Sequence, residues 1–149
     1  MSRRALLPIL ALGLIAFLGC SFLLARWLTT ESRERNAVHA LLEDQARGDA
    51  NAMLERLEGC ASDAACATTV RRNARRLRRP GEVKILAYES GTSYALGTAS
   101  GVTRVAWTVI DRGLPVVQCV DVHRGGTVLA GRVVTLRALS PPIGRQSSC

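Results

Sequence analysis

The chain has 149 residues, 48% of them hydrophobic, and carries 20 basic against 12 acidic side chains, a net charge of +8. This length excludes more than one globular domain behind a terminal segment. Setting aside the apolar start leaves about 120 residues, enough to bury a single core.

Residues 5–25 read ALLPILALGLIAFLGCSFLLA without one charge. That run matches the roughly 20 apolar residues a membrane-spanning helix needs. The favoured reading is a signal anchor over residues 1–27 that stays in place, with Trp27 at the interface. Three other readings stand beside it. A cleaved signal peptide lacks a small-x-small site after the run. Leu18-Gly19-Cys20 resembles the end of a lipobox, but Ser21-Phe22-Leu23-Leu24 behind the cysteine is too apolar for a free tether. A buried soluble helix is the last. Arg3 and Arg4 before the run and Arg26, Arg33 and Arg35 after it leave the positive-inside count undecided.

A polar lead over residues 28–36 comes next, then AVHALLEDQARGDANAMLERLEG. Val38, Leu41 and Leu42, then Met53, Leu54 and Leu57, recur at helical spacing. Gly48 can end one helix and Asp49 can cap the next, so helices are expected near 32–47 and 50–58. The third helical stretch is ATTVRRNARRLRRPG, with Val70, Ala74 and Leu77 on a narrow apolar stripe and Pro80-Gly81 as the stop. Around that stripe sit Arg71, Arg72, Arg75, Arg76, Arg78 and Arg79.

From residue 82 the apolar period changes to two. EVKILAYES and TSYALGTA read as strands joined at Ser90-Gly91, and VTRVAWTVID alternates well. Turns are expected at residues 112–115 and 124–126, with VVQCVDVH between them and TVLAGRVVTLRAL closing the meander. Three helical pieces before about five antiparallel strands predict an α+β class, with the helices on one face of the sheet. Val105, Trp107 and Val109 share one strand face, as do Val116, Gln118, Val120 and Val122. Cys119, Asp121 and His123 then point to the outer, helix-free side.

Cys20 lies in the apolar run, leaving Cys60, Cys66, Cys119 and Cys149. An even set in a small anchored domain points to two disulfides and an oxidising, extracytoplasmic side. Four free thiols in a cytoplasmic domain are the alternative. A metal site is disfavoured, because no CxxC pair occurs and His39 and His123 lack ligand spacing. The favoured pairing is Cys60 with Cys66 and Cys119 with Cys149. Six helical residues rise about 9 Å, too far for a disulfide, so the chain between Cys60 and Cys66 must reverse, with Asp63 or Ser62 capping the next helix. The second bridge would staple a tail that has only Ile143 to hold it after Ser140.

Val38, Leu41, Leu42, Gly48, Asp49, Ala50, Met53 and Leu54 together resemble the opening of the nuclear transport factor two-like (SnoaL-like, cystatin-like) cone fold. The order of helices before a sheet matches over about residues 33–139. The resemblance implies helices on a curved antiparallel sheet. With an anchor in front, the arrangement is similar to Mce-associated membrane proteins and to the periplasmic bitopic component of type IV secretion. These are bacterial envelope assembly factors without catalysis. The paired cysteines are not part of that family pattern.

The cone fold hosts enzymes, ligand pockets and plain interaction surfaces, so local chemistry must decide. An isomerase-like site needs a buried acid and donors in an apolar pocket. Asp111 and Asp121 lie near strand ends, Tyr88 and Tyr94 read as aromatic packing, His39 has no inward-facing histidine partner, and His123 lies beside a turn. No phosphate loop or nucleophile signature occurs. From residue 26 onward, 18 basic residues face 12 acidic ones. The arginines at 71, 72, 75, 76 and 79 (Arg71, Arg72, Arg75, Arg76 and Arg79) are therefore the candidate partner-binding face, for acidic protein or lipid head groups. A solvated helix face is the bland reading. Nucleic acid is disfavoured, because no aromatic side chain lies among the arginines to stack a base. The expected role is a non-catalytic envelope scaffold without cofactor. The runner-up is a carrier of a small apolar ligand such as a lipid, lined by Val105, Trp107, Val109 and Val120.

Overall fold

A computed structural model describes residues 3–92, 98–110, 112–127 and 131–149. The chain forms two compact units, Met1–Ser32 and Arg33–Cys149. Helix α1 runs from Arg3 to Arg47, so residues 28–36, expected as a polar lead, are helical. In the first unit Leu12, Leu14, Ile15, Phe17, Leu18, Phe22, Leu23 and Leu24 are all exposed, and they cover the whole circumference of the helix. Among the described residues no helix is long and apolar enough to cross a membrane.

The second unit is α+β. It holds the C-terminal part of α1, α2 (Ala50–Arg56), α3 (Ala64–Arg76) and four strands: β1 (Val83–Glu89), β2 (Ala99–Val109), β3 (Arg112–Thr127) and β4 (Gly131–Leu139). Gly48 ends α1 with φ +81°. Its N–H bonds Gln45 O at 3.0 Å and the Asp49 N–H bonds Asp44 O at 2.9 Å, a glycine C-cap that turns the chain sharply into α2. Asp49 then caps α2 through the Ala52 N–H at 3.0 Å. Between Cys60 and Cys66 the chain reverses, and the bridge spans 5.3 Å between Cα atoms. Asp63 is the cap of α3, accepting from Ala65 N at 2.8 Å and Cys66 N at 3.1 Å.

The four strands form one antiparallel sheet in sequence order. Two expectations change. β1 pairs with β2, from Val83 opposite Val109 to Glu89 opposite Arg104. Gly91 serves a close approach, since a Cβ there would lie 2.0 Å from Val102 O. Most of the strand expected next, residues 93–97, lies outside the described residues. The 112–115 stretch is strand, not turn. There the register slips, with Trp107 opposite Val116 but Val109 opposite Arg112, an irregularity that accommodates Pro115. Residues 124–126 also stay in β3, with Gly125 opposite Val133, because the Arg124 side chain is held inward by a buried ion pair with Glu34.

The face assignment holds. Val120 is 0% exposed while Asp121 is half-buried on the opposite side. Val38, Leu41 and Leu42 of α1, Met53 of α2, and Val70 and Ala74 of α3 pack with Val105, Trp107, Val109, Val120 and Val122 in one core. The C-terminal tail crosses the outer face. Ile143 N bonds Val117 O and Ser140 N bonds Cys119 O, both at 2.8 Å, and Arg104 Nε donates to Ser147 O at 3.0 Å. The Cys119–Cys149 bridge, 5.8 Å between Cα atoms, fastens its end.

Candidate functional site

Helix α3 is held from several sides. Asp63 caps it, the Cys60–Cys66 bridge pins its first turn, and Ala67, Val70, Ala74 and Leu77 are buried. On its inner side Asn73 Nδ2 donates to Ser140 O at 2.9 Å, which ties the helix to the start of the tail. With that side fixed, Arg71, Arg72, Arg75 and Arg76 are left exposed. None of the four has an ion-pair or hydrogen-bond partner among the described residues. Arg75 and Arg76 also lie in the last turn, where positive charge suits the helix dipole. Arg79 is different. It is half-buried, its Nη1 donates to Leu114 O at 2.9 Å, and its N–H bonds Ala46 O at 2.9 Å. It joins α1, α3 and β3 and is not a free docking side chain.

A second cluster was not foreseen. Glu34 of α1 is 0% exposed. Its Oε1 accepts from Tyr88 Oη at 2.6 Å, Thr103 Oγ1 at 2.8 Å and Ser90 Oγ at 3.2 Å. Its Oε2 accepts from Arg124 Nε at 2.7 Å and from Thr92 Oγ1 at 3.3 Å, and lies 2.5 Å from Arg124 Nη2 in an ion pair. Burial alone would raise the carboxyl pKa. The donors from Tyr88, Thr103 and Arg124, and the charge of Arg124, outweigh it and hold the group below the usual carboxylate range. Burial and the neighbouring Glu34 charge push the Tyr88 phenol far up. Glu34 is thus a fixed anion with both oxygens engaged, and Tyr88 a fixed donor.

A third network crosses the core. Gln118 Oε1 accepts from Gln45 Nε2 and Trp107 Nε1, each at 2.9 Å, and Gln118 Nε2 donates to Ser140 O at 2.9 Å. Val105, Trp107, Val109 and Val120, foreseen as pocket lining, are all members of the packed core, none more than 1% exposed.

The remaining candidates disperse. His39 Nε2 lies 3.0 Å from Val83 O, and His123 Nδ1 lies 2.8 Å from Ser100 Oγ. Tyr94 and Asp111 lie outside the described residues. Among the described residues no group of three His, Cys, Asp or Glu side chains is placed to hold a metal ion. Glu34 escaped notice because it lay in a stretch read as a polar lead. Its signal was the helical register: residues 34, 38, 41, 42 and 45 continue one inward face. No family model, curated protein or solved structure matches the chain.

Proposed function

We propose that the chain is a non-catalytic, membrane-anchored scaffold of a bacterial cell envelope. Residues 1–27 are the anchor, and an extracytoplasmic domain of the nuclear transport factor two-like cone type binds other envelope proteins through α3. The observation that carries this reading is the row of four exposed arginines, unpartnered among the described residues, on a helix fixed by a cap, a disulfide and a buried stripe. Arginine forks recognise carboxylates in bidentate fashion, so an acidic protein surface is the matching partner. Two disulfides support an oxidising compartment. The exposed, all-round apolar start of α1 supports the anchor.

Catalysis is disfavoured by the buried carboxylate itself. Every lone-pair direction that a base would use on Glu34 already meets an internal donor. The side chains that would line a carrier's pocket are occupied in the core.

Replacing Arg72, Arg75 and Arg76 together with Ala tests the reading. These side chains are exposed, so each change costs at most about 0.5 kcal/mol of stability. Cross-linking in the native envelope should show partner capture falling about tenfold or more, with the circular dichroism unchanged and the wild-type capture weakened by salt. Undiminished capture by the folded triple variant removes α3 from the interface.

A further inference from the structure

Where α1 turns into α2, Arg47, Gly48, Asp49, Ala50 and Asn51 face Arg78 across an open cleft of about 560 Å³. We infer that this cleft is a carboxylate-binding subsite that seats an acidic side chain of the partner protein, an inference that rests on the scaffold reading above. Of the acidic groups near the cleft, Asp49 accepts the Ala52 N–H through one oxygen, and the buried Asp44 is paired with both Arg47 and Arg56. The Arg47 side chain is 58% exposed and gives one nitrogen to Asp44, so the rest of its fork is open. Arg78 is exposed and has no ion-pair or hydrogen-bond partner among the described residues. Its stem lies against Gly48, where a Cβ would come within 2.9 Å of Arg78 Cδ. The glycine that ends α1 therefore also makes room for the arginine that lines the cleft.

Arg78 lies two residues past the end of α3, whose last turn carries the exposed Arg75 and Arg76.

The cleft is lined by no large apolar side chain that could insert between lipids. The positive groups are guanidinium forks, since Lys84 is the chain's single lysine. Planar forks favour bidentate carboxylate contacts over the diffuse attraction of a lysine-rich patch.

The test titrates the 149-residue chain, held in uncharged detergent micelles, with acetylated and amidated hexaglutamate. Arg78→Ala should weaken binding at least fivefold, and Arg78→Lys should restore less than half of the loss. Lys84→Ala removes one exposed charge elsewhere and should leave the affinity within a factor of two. Equal losses in Lys84→Ala and Arg78→Ala would reduce the effect to net charge and overturn the subsite. Inorganic phosphate binding as tightly as hexaglutamate would overturn it too. So would Arg78-dependent binding to vesicles of anionic lipid in the absence of hexaglutamate binding. The two readings separate cleanly. If the Arg72/Arg75/Arg76 triple variant keeps partner capture while Arg78→Ala loses hexaglutamate, the α3 interface fails and the cleft stands. If the triple variant loses capture while Arg78→Ala binds hexaglutamate normally, the cleft fails and the interface stands.

Discussion

Glu34→Ala should be among the most damaging single substitutions in the domain. It leaves the Arg124 guanidinium, whose side chain is 5% exposed, buried without its counter-charge. It also takes the acceptor from Tyr88 and Thr103. Breaking a buried pair from one side costs about 3–5 kcal/mol, and a domain of this size has about 5–15 kcal/mol in all. With a urea slope of about 2 kcal/mol/M, the unfolding midpoint should fall by about 2 M. Urea titration of the micelle-bound chain, followed by near-ultraviolet circular dichroism of the buried Trp107 environment, measures this. Glu34→Gln should lose nearly as much, because it keeps the shape but not the charge. In Glu34→Leu/Arg124→Met the loss should be smaller than the sum of the single losses, since neither ion is then left alone. A midpoint shift below about 0.3 M for Glu34→Ala, with the slope unchanged, would refute the claim that this pair holds the sheet to α1.

The same group sets an acid limb. The folded Glu34 carboxyl lies below its unfolded value, so its stabilisation is present above about pH 4.3 and is lost as the pH falls through the folded value. Stability against pH, measured by the same titration, should therefore drop on the acid side in the wild type. That component should be missing in Glu34→Ala. Cys119→Ser/Cys149→Ser opens a bridge across a sequence separation of 30 residues and should cost about 3–4 kcal/mol in the chain-entropy model. Hydrogen exchange at the Ile143 amide, which bonds Val117 O, should accelerate in that variant. An unchanged exchange rate would mean that the tail is held by Arg104 and its strand-like bridge alone.

Features governed by local rules were legible in the sequence. Gly48 and Asp49 marked a helix junction because a glycine C-cap and an Asp N-cap each act within a few residues. Period-two alternation separated Val120 from Asp121. The short Cα span of any disulfide, set against helical rise, demanded the reversal that occurs between Cys60 and Cys66. The errors came where a distant partner overrode a local signal. Arg124-Gly125-Gly126 reads as a turn, yet Arg124 reaches Glu34, 90 residues earlier in the chain, and keeps the strand extended. Residues 28–36 are polar in composition, but Glu34 faces the core. The arginine row was legible as composition. That Arg79 is tied to Leu114, while Arg71, Arg72, Arg75 and Arg76 are free among the described residues, required the packing of α3.

The most direct test of the central claim is the native mass of the chain extracted gently from its own membrane, for the wild type and the Arg72/Arg75/Arg76 triple variant. A membrane-anchored, disulfide-stapled scaffold should be recovered in the membrane fraction with the mass of two disulfides, four hydrogens below the reduced chain. An acidic protein should be bound to the wild type and absent from the variant. A fully reduced chain, or a partner retained equally by both, would contradict it.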